Sequence, residues 1–338
     1  MNLERLRQLA VPFDVLDHPV TRLILAIVVG AILLSPLGLW ISTRRPDQTT
    51  ESRKTARTRV RTWLLIAPAI IVPILAGQLW TMIAIGVLAV LCYREFARAT
   101  GLFRERLTSA MVASGIIIYS LVNIDHWPHL SSTLMGLVPL VIACVSILED
   151  RPAGYIQRVG LGCGAFLLFG IGIGRLGSFA QDDHFRPMIL LLLFCTQLND
   201  LAAFAVGTSL SGPKLVPNTS PGKTLTGHIG GMLAAALAAY LLGRLVFAGT
   251  PMDTPFRMGG FAILVAGLGQ LGDLLSSSIK RDIGIKDMGT LLPGHGGLLD
   301  RFNSVLLVAP GAYHYILHFN GIAPQAPLRI LTGGWGVW

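Results

Sequence analysis

The sequence predicts an all-α integral membrane protein, a polytopic bundle of about ten transmembrane helices. Three observations carry that prediction. Of 338 residues, 52% are hydrophobic and only 13% are charged, against about 25% charged in a soluble domain. The apolar residues come in blocks of roughly 16–24, the length that crosses the hydrocarbon core as a helix. These blocks lack the polar face that a soluble helix turns to water.

Taken in order, the first block, 20–43, is too long and begins too late for a cleaved signal peptide, and no A-x-A-like site follows it. Blocks 62–79 and 80–95 follow a basic segment, and 109–124, 131–147 and 160–179 complete an N-terminal bundle. Blocks 187–208, 229–249, 259–279 and 302–319 alternate with the polar motifs of the chain. The expected organisation is an interfacial segment at 1–19, a transmembrane bundle at 20–179 with a basic loop at 44–61, a motif-bearing transmembrane region at 180–320, and a tail at 321–338. The glycine-rich GLGCGAFLLFGIGIG (160–174) lies inside an apolar span with no preceding strand, so it reads as close helix packing rather than a nucleotide loop. Cys92, Cys144, Cys163 and Cys195 lie in or beside apolar spans without C-x-x-C spacing. They read as small buried residues, with neither disulfide nor zinc expected. His314 and His318 are spaced i, i+4 with no third ligand evident, and read as interfacial anchors of the last span.

Charge orients the bundle. The net charge is +9, and the segment RRPDQTTESRKTARTRVR (44–61) holds seven basic residues and two acids. Residues 94–106, 209–227 and 280–301 are also rich in Lys and Arg, whereas 125–130, 180–186 and 250–257 carry Asp and at most one Arg. Basic loops stay cytoplasmic. Both ends of the chain are therefore expected outside, although Arg5, Arg7 and Arg22 count against the N-terminal assignment.

Two expected cytoplasmic loops carry the chemistry. Asp200, in TQLNDLAAFAVG, and Asp273, in GQLGDLLSSSIKR, are acids inside apolar spans and lead into basic loops. Intramembrane acids are costly and mark functional sites, and two at similar depth suit a shared cation. The loop GTSLSGPKLVPNTSPGKTLTG (207–227) holds Lys214 and Lys223 and no acid. Its composition predicts irregular structure whose backbone N–H groups, hydroxyls and lysines suit a polyphosphate, although the P-loop spacing is absent. The run KRDIGIKDMGTLLPGHGGLLDRFN (280–303) combines Lys280, Arg281 and Lys286, which can neutralise phosphates, with Asp287 and Asp300, which can hold a hard cation. Its PGHGG permits close backbone approach around His295. Phosphoryl and nucleotidyl transfer need this combination.

SSSIKRDIGIKDMGTLLPGHGGLLDRFNS (276–304) closely resembles the signature of phosphatidate cytidylyltransferases, S-x-x-K-R-x-x-x-x-K-D-x-x-x-x-x-P-G-H-G-G-x-x-D-R-x-D. The ND-x-x-A-F step at 199–204 and SP-x-KT-x-x-G at 220–227 resemble the same family's upstream block, and the similarity covers about residues 185–310. The resemblance implies transfer of the cytidylyl group of CTP to phosphatidic acid, giving CDP-diacylglycerol and pyrophosphate. It implies Mg²⁺, with or without a monovalent cation, and a lipid substrate. Membrane lipids and a second copy of the chain are the expected neighbours, and nucleic acid is not. The expected location is a bacterial inner membrane, with the site on the cytoplasmic side. By resemblance, Asp273, Asp300 and Asp200 look like metal-holding acids, joined by the carbonyl of Asn303. Lys223, Lys280, Arg281 and Arg301 look like phosphate-neutralising residues. Lys286, Asp287 and His295 complete the catalytic set, and Lys214, Ser220, Thr224, Gly294, Gly296 and Gly297 the substrate contacts. Thr226, Ser276 and Asn303 stand where the family carries acids. These departures leave open another anionic lipid acceptor, or a weakly active relative. A cation transporter is the remaining alternative, disfavoured because the polar residues gather at one end of the spans.

Overall fold

The structure, a computed structural model, describes residues 9–10, 15–43, 50–320 and 331–332. Much of the expected 1–19 segment, residues 44–49 of the basic segment and most of the 321–338 tail fall outside that range.

The described chain is a helical bundle. Its elements are α1 (Pro19–Thr43), α2 (Thr50–Ala76), α3 (Gln78–Thr100), α4 (Arg106–Ile124), α5 (Pro128–Ser146), α6 (Tyr155–Phe179) and α7 (Phe185–Leu210). There follow a hairpin of β1 (Lys214–Val216) and β2 (Ser220–Thr224), then α8 (Leu225–Val246), α9 (Pro255–Asp282), the short α10 (Leu299–Phe302) and α11 (Val305–Asn320). Among the described residues, eight helices are long and apolar enough to cross a membrane, covering most of α2 and all of α3–α9. Each of the ten expected spans falls on one of these helices or on α1 and α11. Leu233, Leu237 and Leu241 lie four residues apart on α8 and are all more than half exposed, a stripe that lipid, not water, solvates.

Local chemistry sets the boundaries. Thr224 and Thr254 cap α8 and α9, their Oγ1 atoms accepting from Gly227 N and Arg257 N. Pro255 takes the first turn of α9, where its missing N–H costs nothing. Gly101 ends α3 in the left-handed conformation. The middle of α6, Phe166–Ile173, widens into a π-helix. Its glycines earn their place by contact: a Cβ on Gly172 would lie 2.7 Å from Leu306 O, so α11 packs directly on the α6 backbone. Gly172→Ala is expected to cost about 1–3 kcal/mol through overpacking, read as a lower midpoint of thermal unfolding in detergent.

Three local expectations are corrected. The 44–61 segment is not a loop throughout: from Thr50 onward it is the first three turns of α2. The 207–227 loop is not irregular. Residues 214–224 form an antiparallel hairpin, Lys214 opposite Thr224 and Val216 opposite Ser220. Its tip is held from outside by Arg281, whose Nε donates to Thr219 O at 3.1 Å. The cysteines also differ from expectation: Cys92 and Cys195 are buried and Cys163 half-buried, but Cys144 is exposed on the outside of α5.

The basic connections meet at one end of the bundle. There Arg59 Nε donates to Gly294 O and Thr62 Oγ1 to Pro293 O. The acidic turns meet at the other end, where Gln78 donates to Asp182 O and Gln181 to Asn123 O. Both ends of the described chain lie at this second end: His18 sits by Leu245 and His184, and Leu331 and Thr332 hydrogen-bond Asp125.

Candidate active site

At the basic end, α7, α8, α9 and the hairpin enclose a cavity of about 660 Å³. Small residues bring its walls together. A Cβ on Gly227 would meet Ala203 O at 2.6 Å, and one on Gly231 would meet Asn199 O at 2.7 Å, so α8 crosses α7 backbone to backbone. Asp200, Asp273, Lys223, Lys214, Ser220 and Thr224, all singled out by sequence, line this cavity.

Asp273 is held on both oxygens. Lys223 Nζ pairs with Oδ2, and Asn303 Nδ2 donates to Oδ1 at 2.6 Å. Thus Asn303, where the family resemblance led to the expectation of an acid, serves here as a donor to Asp273. Asp200 faces the cavity, within electrostatic reach of Asp273, Lys223 and Arg301.

Asp300 stands apart from the cavity lining. It is buried, and its Oδ1 accepts from Lys280 Nζ at 2.7 Å. Its Oδ2 accepts from Met288 N at 2.8 Å and Gly297 N at 2.9 Å. These bonds fold the 283–298 loop into a tight turn, closed by Leu292 N to Gly296 O. Gly294 and Gly296 have φ of 76° and 81°, in the left-handed region that favours glycine. Asp287 packs against Gly296. Lys286 is exposed, and Arg281 ties Ile285 O to the hairpin tip. Arg301 links the two regions, its charge acting on both Asp200 and His295. Among the described residues no three His, Cys, Asp or Glu side chains gather tightly enough to cage a metal by themselves.

His295 lies edge-on to Trp63. Burial, followed by the nearby Arg301 charge, lowers its pKa from the ordinary histidine value. A lowered native pKa favours the neutral ring. The stability it contributes is complete above the unfolded-state pKa and is lost as pH falls through the native one. His295→Gln is therefore expected to flatten the loss of thermal stability between about pH 7 and pH 5, measured by unfolding scans in detergent.

Several site residues were not anticipated from sequence. Glu95 of α3 accepts from Leu298 N and Leu299 N, both at 2.9 Å, and so caps α10 from the N-terminal bundle. It is the one acid in the α3 sequence, which is the signal that could have exposed it. Arg59, Thr62 and Trp63 hold the PGHGG turn from α2. Asn199, His228 and Gln270 form the cavity floor.

The cytidylyltransferase family pattern matches residues 57–319. The chain is 36% identical over 183 residues to the uncharacterized protein YnbB of Escherichia coli (strain K12), covering 52% of this chain and 60% of that protein. It is 33% identical over 232 residues to a phosphatidate cytidylyltransferase of Brucella suis biovar 1 (strain 1330), covering 61% of this chain and 83% of that one. It is 30% identical over 253 residues to a phosphatidate cytidylyltransferase of Staphylococcus aureus (strain COL), covering 73% and 94%.

Proposed function

Because the chain belongs to the cytidylyltransferase family, and is thus a membrane-embedded nucleotidyltransferase, we propose that it transfers the cytidylyl group of CTP to phosphatidic acid. The products are CDP-diacylglycerol and pyrophosphate. The observation that carries this reading is the meeting of Asp200, Asp273 and Lys223 in one cavity whose lining includes the outward-facing Phe204. Ionic groups can hold a triphosphate there while a lipid headgroup enters from the side.

In the reaction a phosphate oxygen of the lipid attacks the α-phosphorus of CTP. The bond from that phosphorus to the bridging oxygen breaks, and pyrophosphate leaves with the electron pair. Lys223 neutralises phosphate charge and is itself positioned by Asp273. Lys214, Ser220 and the hairpin backbone receive the outer phosphates. Arg301 adds positive charge beside Asp200. The carboxylates of Asp200 and Asp273 fit Mg²⁺, which takes one or two protein carboxylates and completes its shell with substrate phosphates and water. When bound, it supplies Lewis-acid stabilisation of charge on the phosphate oxygens. Asp300 and Lys280 act at one remove, by shaping the PGHGG turn. The gathering of basic connections at this end supports a cytoplasmic site in a bacterial inner membrane.

The test is direct. Purified protein in detergent, given CTP, Mg²⁺ and phosphatidic acid, is expected to release pyrophosphate and CDP-lipid in equal amounts. No product with phosphatidic acid, but product with another phosphorylated lipid, reassigns the acceptor. No product with any phosphorylated lipid overturns the proposal.

A further inference from the structure

The cavity floor differs in kind from its walls. α7 and α9 run toward the basic end and α8 runs away from it, so Asn199, Gln270 and His228 all lie deeper in the bundle than the ionic residues beside them. Gln270 precedes Asp273 by three residues, about 4.5 Å along the helix. The floor carries no acid and no lysine or arginine.

Gln270 is 6% exposed. Its Nε2 donates to Asn199 Oδ1 and to His228 O, both at 2.8 Å. Asn199 in turn donates to Ala266 O at 3.3 Å. These bonds fix the direction of the amide, and Gln270 Oε1 is left buried without a donor. Buried acceptors are almost always paired, and this one belongs to a residue lining a cavity of substrate size. A ligand seated in the cavity can supply that donor once the side chains covering the oxygen shift slightly. Phosphatidic acid offers phosphate oxygens and acyl chains. The triphosphate offers oxygens too, and these match the lysines and backbone N–H groups of the rim. Among the proposed substrates the donors are the exocyclic amino group of cytosine and the ribose hydroxyls; with the triphosphate at the lysine-bearing rim the ribose stays beside it, and the amino group is the donor that reaches the floor.

We infer that Gln270, oriented by Asn199 and His228, recognises the exocyclic amino group of the nucleotide's base and so sets preference for cytidine over uridine. This rests on the cytidylyl reading above. The triphosphate lies over the rim and the base points down into the floor. Uridine triphosphate brings a carbonyl oxygen to Oε1 in place of the amino group, an acceptor facing an acceptor.

The experiment compares initial rates with CTP, with UTP and with the triphosphate of 2-pyrimidinone riboside, which lacks the amino group. The wild type is expected to favour CTP over the latter two by on the order of 10-fold or more in kcat/KM. Gln270→Met, close in volume, is expected to lose that preference. Asn199→Asp keeps the acceptor oxygen that orients Gln270 and is expected to retain it. Equal use of CTP and the 2-pyrimidinone analogue by the wild type overturns the inference whatever the variants do. So does a Gln270→Met enzyme with wild-type preference, or loss of preference in both variants alike. Should Gln270→Met fail to fold, the wild-type comparison and Asn199→Asp still decide. A wild type that makes CDP-lipid without discriminating among these bases refutes this inference alone, whereas one that makes none refutes the proposed function.

Discussion

Asp273→Asn is expected to lower the rate of pyrophosphate release from CTP and phosphatidic acid by at least a hundredfold, with the bundle still folded. The geometry makes Asp273 the electrostatic centre of the cavity. It pairs with Lys223, receives the Asn303 amide and adjoins Asp200. The substitution keeps the shape and removes the charge. Lys223 then loses the partner that points it into the cavity, and the proposed Mg²⁺ site would keep a single carboxylate. Removing one preorganised charge-stabilising group costs about 10²–10³ in kcat, and here two roles fail together. Folding is expected to survive because asparagine keeps the size of the side chain and an acceptor for the Asn303 amide. The assay is single-turnover product formation at saturating CTP, with thermal unfolding in detergent as the control. A variant that keeps more than a tenth of wild-type turnover sinks the assignment. Lys223→Met is expected to share most of the defect, and the double variant to be little worse than either single one, since paired residues do not lose activity additively.

The contrast between Asp273 and the rest of the site explains what sequence could reveal. An acid in an apolar span is conspicuous because the bilayer penalises it, so Asp200 and Asp273 were visible before any geometry. Neutral amides carry no such flag. Asn199 and Gln270 sit in helices that read as apolar, and only their mutual hydrogen bond at a helix crossing shows what they do. The spans themselves were legible because a transmembrane helix announces itself by length and composition within about twenty residues. The emergent half of α2 was not: Arg53, Lys54, Arg57, Arg59 and Arg61 look like a loop by charge, yet the helix continues through them as far back as Thr50. The hairpin at 214–224 was hidden for a different reason. Its tip is fixed by Arg281, some sixty residues away, and a tertiary contact leaves no local pattern.

Glu95→Ala is expected to disable the enzyme from outside the cavity. Glu95 belongs to the N-terminal bundle, more than two hundred residues from Leu298 and Leu299, whose N–H groups it receives. Its carboxylate also fills the space beside Gly289 and Gly297, where a Cβ would come within 2.7 Å and 2.5 Å of it. Truncation leaves two backbone donors without a partner at the start of α10, at about 1–3 kcal/mol each. It also opens a void against two glycines. α10 carries Asp300 and Arg301, so its start sets where the Arg301 charge falls relative to Asp200. The expected result is a lower unfolding midpoint, faster proteolysis or hydrogen exchange across 286–299, and a kcat reduced by roughly 10-fold or more with KM for CTP less affected, because the floor and hairpin residues proposed to bind the nucleotide are untouched. Glu95→Gln keeps one acceptor oxygen and is expected to recover much of the rate. If Glu95→Ala loses stability but turns over normally in its folded fraction, the N-terminal bundle merely anchors the loop. If kcat falls while the folded fraction stays high, and Gln restores it, then the bundle positions the catalytic loop from across the molecule.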